Sequence, residues 1–310
     1  MTTLTSRRIA ITGLTGQVGG HVARALAADN EVIGLARFGD DAVRAELEGL
    51  GIDCHRLDLV APDFGAIPSE VDHVLHFAVA KSGRWDIDLA ATAEAVGHLM
   101  AHFRSAGSFL HCSSTAVYRP NGGAPAAEGD PLGDHHRDLL PTYSIAKIAG
   151  EAVARFGARH FELPTTIARL NVPYGDEGGW PLFHLLMLEA GVPVEVHEDG
   201  SRYNPIHHDD LVRHLPSLLD AAAVPATTVN WGGEEEVAVE EWVAHLASLT
   251  GLGATTECSP TALPSAVVDL ERQHTLLPPA EVGWRDGFRR MVEASRPDLI
   301  DGSGPAPTPT

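Results

Sequence analysis

Tyr143 and Lys147 stand four residues apart in the run Tyr143-Ser144-Ile145-Ala146-Lys147. On a helix that spacing puts the phenol and the ammonium on one face. A free tyrosine titrates near pH ~10, too high for proton exchange at neutral pH, and a nearby cation favours the phenolate. The pair is therefore expected to form an acid/base whose pKa is lowered by Lys147. Far upstream, Thr12-Gly13-Leu14-Thr15-Gly16-Gln17-Val18-Gly19 is glycine-rich. Such a turn, set between a strand and a helix N-terminus, lets backbone amides approach a pyrophosphate. A dinucleotide site joined to an acid/base is the equipment for moving a hydride and a proton together.

The surrounding pattern supplies the elements that must position these residues. Apolar runs at 9–11, 31–36, 54–57, 71–77, 109–112 and 165–170 read as buried strands. Between them, 18–28, 41–49, 88–105 and 143–160 read as helices, with Asp40 or Asp41 capping the second. This alternation predicts an α/β fold, a Rossmann-type doubly wound parallel sheet over residues 1–170. After Asn171 the rhythm breaks. Helices at 182–190, 209–223 and 239–250 and strands at 194–197 and 229–231 suggest a smaller C-terminal substrate-binding lobe, 171–300, interleaved with the last sheet strands. The Gly/Pro/Ser/Thr-rich stretch 301–310 is expected to be disordered.

Composition narrows the function. The 310 residues hold 42 acidic and 22 basic side chains, a net charge of −20. That field repels phosphate backbones and anionic lipid, so neither nucleic acid nor a membrane is expected as a partner. Cys54, Cys112 and Cys258 are scattered and odd in number, which points to a reducing, cytoplasmic setting. No secretory signal and no apolar run of ~18 residues is visible.

Taken in order, TGxxGxxG at 12–19, His76-Phe77-Ala78, Ser113-Ser114-Thr115-Ala116-Val117-Tyr118 and YxxxK form a recognisable set. Arg169-Leu170-Asn171-Val172-Pro173-Tyr174-Gly175 and Ile206-His207-His208-Asp209-Asp210-Leu211 extend it. With these motifs the chain resembles the extended short-chain dehydrogenase/reductase family, in its sugar-nucleotide epimerase and dehydratase branch, over about residues 8–295. The resemblance implies that Tyr143 is the catalytic acid/base, that Lys147 holds the ribose, and that Ser114 steadies the reacting oxygen. It implies cofactor contacts from Gly13, Thr15, Gly16, Gln17, Val18 and Gly19, and from Phe77, Ala78, Val79, Leu170, Asn171 and Val172. Asp58, with Leu59, matches the place that meets the adenine, although Asp58 could instead cap a turn. A homodimer through helices 88–105 and 143–160 is also implied.

Two departures from the family pattern shape the expected chemistry. Thr92 occupies the place of an Asn often used in a water relay. Ser114-Thr115-Ala116 stands where the 4,6-dehydratases carry Thr-Asp-Glu, which disfavours dehydration through a carboxylate pair. The expectation is NAD(P)-dependent oxidation, reduction or epimerisation at a secondary alcohol or ketone, with a sugar nucleotide as one candidate substrate. Lys81, Ser114, Thr115, Asn171 and Arg202 are candidate substrate contacts, and Lys81 could equally be surface. Arg202 is the one Arg or Lys between Asn171 and Asp210, thin provision for a diphosphate. A regulator that senses dinucleotide without turnover is the competing reading, but it would not need both Tyr143 and Lys147.

The second strand ends in Ala36-Arg37, where NAD-preferring sites usually place Asp or Glu. Arg37 suits a 2′-phosphate, favouring NADP(H) over NAD(H), although it could also stack on the adenine of either. The histidine-rich spots His135-His136 and His207-His208-Asp209-Asp210 do not lead us to expect a metal, since neighbours on a strand point to opposite faces. Asp209 or Asp210 is expected to cap the helix that follows.

Overall fold

Strands at the centre of the molecule send alternate side chains into two apolar layers, and this alternation builds the sheet. The computed structural model describes residues 4–300; the stretch 301–310, expected to be disordered, lies outside the described residues. In β1 (Arg8–Thr12), Ile9 and Ile11 join one layer and Ala10 the other. Helix α1 (Gln17–Ala27), β2 (Glu31–Ala36), α2 (Asp41–Gly49), β3 (Asp53–Arg56) and β4 (His73–His76) follow. In β4, Leu75 and Val74 divide between the same two layers. Next come α3 (Trp85–Leu89), α4 (Ala95–His102), β5 (Ser108–Ser114), α5 (Tyr143–His160) and β6 (Thr165–Leu170). Asp40 caps α2, its carboxylate accepting from the Ala42 amide.

The second half continues with β7 (Val172–Gly175), β8 (Gly178–Gly179), α6 (Trp180–Glu189), β9 (Val194–Val196), β10 (Arg202–Tyr203) and β11 (Pro205–His207). Helix α7 (His208–Asp220), β12 (Thr227–Trp231), β13 (Val237–Ala238) and α8 (Val239–Thr250) come next. The chain then runs through β14 (Thr256–Cys258), α9 (Glu271–Leu276) and α10 (Trp284–Ser295). The main sheet has seven strands in the order β12-β6-β5-β4-β1-β2-β3, every pairing parallel. This is the Rossmann-type sheet. Strand order reverses between β1 and β4, where the strand ends lie level: Thr12 pairs with Leu35 on one side and His76 on the other. Such a reversal opens a crevice outside the carboxyl ends of the strands. A second core gathers around Tyr174, Tyr203, Trp242 and Phe288, beside the small sheet β11-β7-β8.

Two local expectations need correction. The helix expected over 88–105 is broken by a π-helical turn at Ala90–Glu94, where Thr92 Oγ1 accepts from the Ala80 amide at 3.1 Å. A side chain engaged with the loop after β4 accompanies the extra residue in that turn. The cap of α7 is His207, whose Nδ1 accepts from the Asp209 amide at 3.1 Å. Asp210 instead receives the amides of Glu281 and Val282. The short strands β7, β8 and β11 lie outside the expected elements. No described helix is long and apolar enough to cross a membrane.

Helix α5 is pinned to the sheet by charge. The Glu151 carboxylate, fully buried, receives Arg169 Nε and Nη2 at 2.8 Å each and Ser113 Oγ at 2.7 Å. Burial alone would raise the Glu151 pKa, but Arg169 outweighs it and holds the carboxyl below its usual range. Glu151→Ala should therefore destabilise the protein by about 3–5 kcal/mol, because it leaves a buried guanidinium uncompensated. Urea denaturation followed by circular dichroism reads this; a loss below about 1 kcal/mol, the size typical of a surface pair, would show the pair to be dispensable.

Candidate active site

The glycine turn is shaped by what it excludes. Gly13 sits at φ +75°, and a Cβ there would stand 2.7 Å from the Ala78 amide nitrogen. A Cβ on Gly19 would lie 2.5 Å from the Gly13 carbonyl. Only hydrogens fit at these two points, so the turn folds tightly onto the N-terminus of α1 and leaves a cradle above it. The first helical amides there have no partner within the helix, the arrangement that receives a pyrophosphate. Gly13, Gly16, Gln17, Val18 and Gly19 all line the resulting cleft, which measures about 640 Å³. The cradle fits a dinucleotide.

The cleft runs from this turn past Phe77 and Val79 to Ser114, Thr115, Tyr143 and Lys147, and on to Leu170, Asn171 and Val172. Asp88, fully buried in α3, braces the chain beside Lys81 and Tyr143. Its carboxylate takes Ser82 Oγ at 2.7 Å, the Gly83 amide at 3.0 Å and Thr142 Oγ1 at 2.5 Å. One carboxylate thus ties the loop that carries Lys81 to the residue immediately before Tyr143. Asp88 was not among the expected site residues: it sits between Ile87 and Leu89, and Ser82 and Gly83 lie six and five positions upstream.

Tyr143 is half-buried, and burial pushes its pKa up to about 12 despite hydrogen bonding to Ser114. This reverses the expectation that Lys147 lowers it. Desolvation is the dominant cause, and the Lys147 ammonium is itself engaged, donating to the Cys112 carbonyl at 2.7 Å. Burial in turn lowers the pKa of Lys147. Lys81 lines the same cleft with its ammonium 5.0 Å from the centre of the Tyr143 ring, and desolvation lowers its pKa although its surface stays open to the cleft. Lys81 and Lys147 are the chain's two lysines.

Other expected residues divide between cleft and framework. Ser113 Oγ donates to Glu151 and belongs to the framework. Asn171 lines the cleft, but its side-chain amide serves the fold: Nδ2 donates to Ala266 O and Thr115 Oγ1, while Oδ1 accepts from the amides of Val172 and Asn204. Thr15, Arg37 and Asp58 are exposed and stand outside the lining residues, at the turn and at the ends of β2 and β3. Asp58 Oδ1 caps its own turn by accepting from the Val60 amide at 3.0 Å, and Leu59 packs on the core. Arg202 needs correction as a substrate contact: its guanidinium is paired with Glu236, donates to Gly123 O, and does not line the cleft. Trp180, Tyr203, Leu263, Ala266 and His136 do line it and were missed, because they come from loops and short elements far apart in sequence.

The sequence profile of the NAD dependent epimerase/dehydratase family matches residues 9–232. The chain belongs to this family. It is thus a nicotinamide-dinucleotide enzyme of the extended short-chain type. None of the curated proteins matches it. Among solved structures, it is similar to a UDP-glucuronic acid 4-epimerase from Bacillus cereus, with TM-score 0.79 and 20% identity over 93% of this chain and 98% of that one. A UDP-glucose 4-epimerase from Thermotoga maritima superposes with TM-score 0.77 and 20% identity, covering 94% and 99% of the two chains. A dTDP-glucose 4,6-dehydratase from Streptomyces venezuelae gives 0.75 and 22%, covering 94% and 97%. At these identities the likeness is one of fold.

The cradle analysis predicts that Gly19→Ala weakens dinucleotide binding at least about tenfold, the equivalent of ~1.4 kcal/mol. Gly39→Ala is the control, because a Cβ there meets nothing within 4 Å. Calorimetric titration of both variants checks it; equal affinities would separate the turn from the cofactor.

Proposed function

We propose that this family member catalyses hydride transfer at a secondary alcohol or ketone, with Tyr143 as acid/base and Ser114 and Lys147 as its partners. The observation that carries the reading is the convergence of Ser114, Tyr143 and Lys147 on one cleft that continues into the glycine cradle. When bound, the nicotinamide supplies the hydride donor or acceptor. Tyr143 Oη gives a proton to the ketone oxygen, or takes it from the alcohol. Ser114 hydrogen-bonds the same oxygen and holds it against the phenol. Lys147, one turn along α5, would hold the ribose and keeps a positive charge near Tyr143 in the buried floor of the cleft. The acid-rich motif of the dehydratases is replaced by Ser114-Thr115-Ala116, which favours reduction, oxidation or epimerisation over dehydration.

NADP(H) is the cofactor that Arg37 favours. Its guanidinium is exposed at the end of β2 with no acid in the adjoining Ala36 and Phe38. A forked guanidinium suits a 2′-phosphate. A homodimer through α4 and α5 agrees with the outer face of α5, where Phe156 is 63% exposed and stacks on His160.

Four outcomes follow. Tyr143→Phe should lower turnover by ~10²–10⁴-fold while cofactor binding stays intact; near-full turnover would displace Tyr143 from the acid/base role. The raised phenol pKa, about 12, means the free enzyme holds the proton at neutral pH. Alcohol oxidation, which needs the phenolate, should then rise in kcat/KM from pH 7 upward while ketone reduction stays level, and parallel pH profiles would contradict this. Arg37→Ala should selectively weaken NADP(H), and an unchanged NADP(H) affinity would remove that role. Light scattering at micromolar concentration should give twice the monomer mass; a monomer would exclude the α4–α5 interface.

A further inference from the structure

His136 lies beside the proposed reaction centre, its ring centre 5.5 Å from that of Tyr143. The arrangement behind it determines which of its nitrogens carries hydrogen. His135 is buried, and its Nε2 stands 3.1 Å from the Ser265 carbonyl oxygen. A carbonyl can only accept, so that nitrogen must carry the proton. Desolvation lowers the His135 pKa, so the ring is neutral at pH 7 and its Nδ1 is a bare lone pair. Nδ1 of His135 lies 3.1 Å from Nδ1 of His136, which must then be the donor. Desolvation, with contributions from His135 and Lys81, puts the His136 pKa at about 3, so this ring too is neutral. With Nδ1 protonated and held by His135, Nε2 is the acceptor of the ring, and His136 lines the cleft. The loop has little freedom to turn over, since the His136 amide donates to Ser144 Oγ at 3.1 Å, at the start of α5.

The remaining wall of the cleft is apolar. Leu140, Val172, Trp180, Leu263 and Ala266 line it with Tyr203, whose hydroxyl donates to the Leu263 and Pro264 carbonyls. Helix α6 begins at this wall, but Pro181 in its first turn offers no N–H. Among the described lining residues, Lys81 and Lys147 are the only cations; both lie at the Tyr143 end, and Lys147 is engaged by Cys112 O. The arginines on the elements around β7, β10 and α7 are matched by acids: Arg202 by Glu236, Arg290 by Asp176 and Asp209, and Arg213 by Asp210 and Glu281. A diphosphate placed along this wall would give up its hydration without gaining a cation.

We propose that the substrate is an uncharged ketone or secondary alcohol bearing a hydrogen-bond donor next to the reacting carbon, received by His136 Nε2, with an apolar remainder against Trp180 and Tyr203. This rests on the hydride-transfer reading. The imidazole pair selects a donor at this point, because the free nitrogen of His136 carries a lone pair. His136 is in this view a specificity-determining residue, while His135 positions it by fixing its tautomer.

The test uses cofactor-loaded protein on the Tyr143→Phe background, so that binding is measured apart from turnover. 2-Hydroxyacetophenone, acetophenone and UDP-glucose are titrated calorimetrically. One added hydrogen bond should make the hydroxyketone bind about tenfold more tightly than acetophenone. His136→Phe, which keeps an aromatic ring and removes the acceptor, should bring that ratio close to one. His136→Gln, with an amide oxygen in similar reach, should restore part of it. UDP-glucose should not compete. Equal affinities for the two ketones, binding of neither, a ratio unchanged in His136→Phe, or displacement by UDP-glucose would each overturn the proposal. Near-full turnover on the Tyr143→Phe background would instead displace Tyr143 from the acid/base role and leave the binding result standing.

Discussion

The buried ion pair between Glu151 and Arg169 is the constraint on which the rest of the cleft depends. Tyr143 and Lys147 ride on α5, and α5 touches the sheet through small residues such as Ala146, Gly150, Ala154 and Ala158. Small residues allow close approach but do not by themselves fix a helix along its axis. The bidentate pair does, because guanidinium and carboxylate must meet in one plane and one register. The network extends further: Arg169 also reaches Glu128 O, and its guanidinium lies over the Tyr118 ring at 4.8 Å. Tyr118 in turn donates to Asn230 Oδ1 in β12. The strand end carrying Ser114, the helix carrying Tyr143 and the last strand of the sheet are therefore held in one electrostatic frame.

Asn171 does for the two halves of the chain what Glu151 does for α5. A single amide satisfies groups from β5's end, β7, the start of β11 and the 266 loop, using both its donors and both lone pairs. No apolar residue of similar size could replace it without leaving several buried backbone groups unpaired. The residue lines the cleft as a consequence of where the halves meet, so its place in a motif reflects architecture as much as ligand contact.

Much of this was legible in the sequence because the physics was local. The glycine spacing, the Tyr143–Lys147 helical interval and the strand rhythm through Leu170 each depend on near neighbours, and the seven-stranded parallel sheet follows from them. What escaped was non-local. The pKa of Tyr143 depends on burial, which a four-residue spacing does not contain. The π turn around Thr92 follows from a bond to Ala80 across a loop. Arg202 looked available because Glu236, which takes its charge, lies more than thirty positions away. The wall formed by Trp180, Tyr203 and Leu263 has no sequence signature, since these apolar residues are adjacent only after folding.

The chain's allotment of lysine has a practical meaning for chemical modification. Side-chain amines occur at only two positions, and both open onto the same cleft. Lys147 is 3% exposed and bonded, whereas Lys81 is open and, through its depressed pKa, holds a larger neutral fraction than a surface lysine would. An acylating reagent directed at lysine therefore has a single accessible side-chain target, and that target lies beside the tyrosine. Among the side-chain amines, acylation is for that reason directed to one position, and a reporter introduced there would sit within the cleft itself.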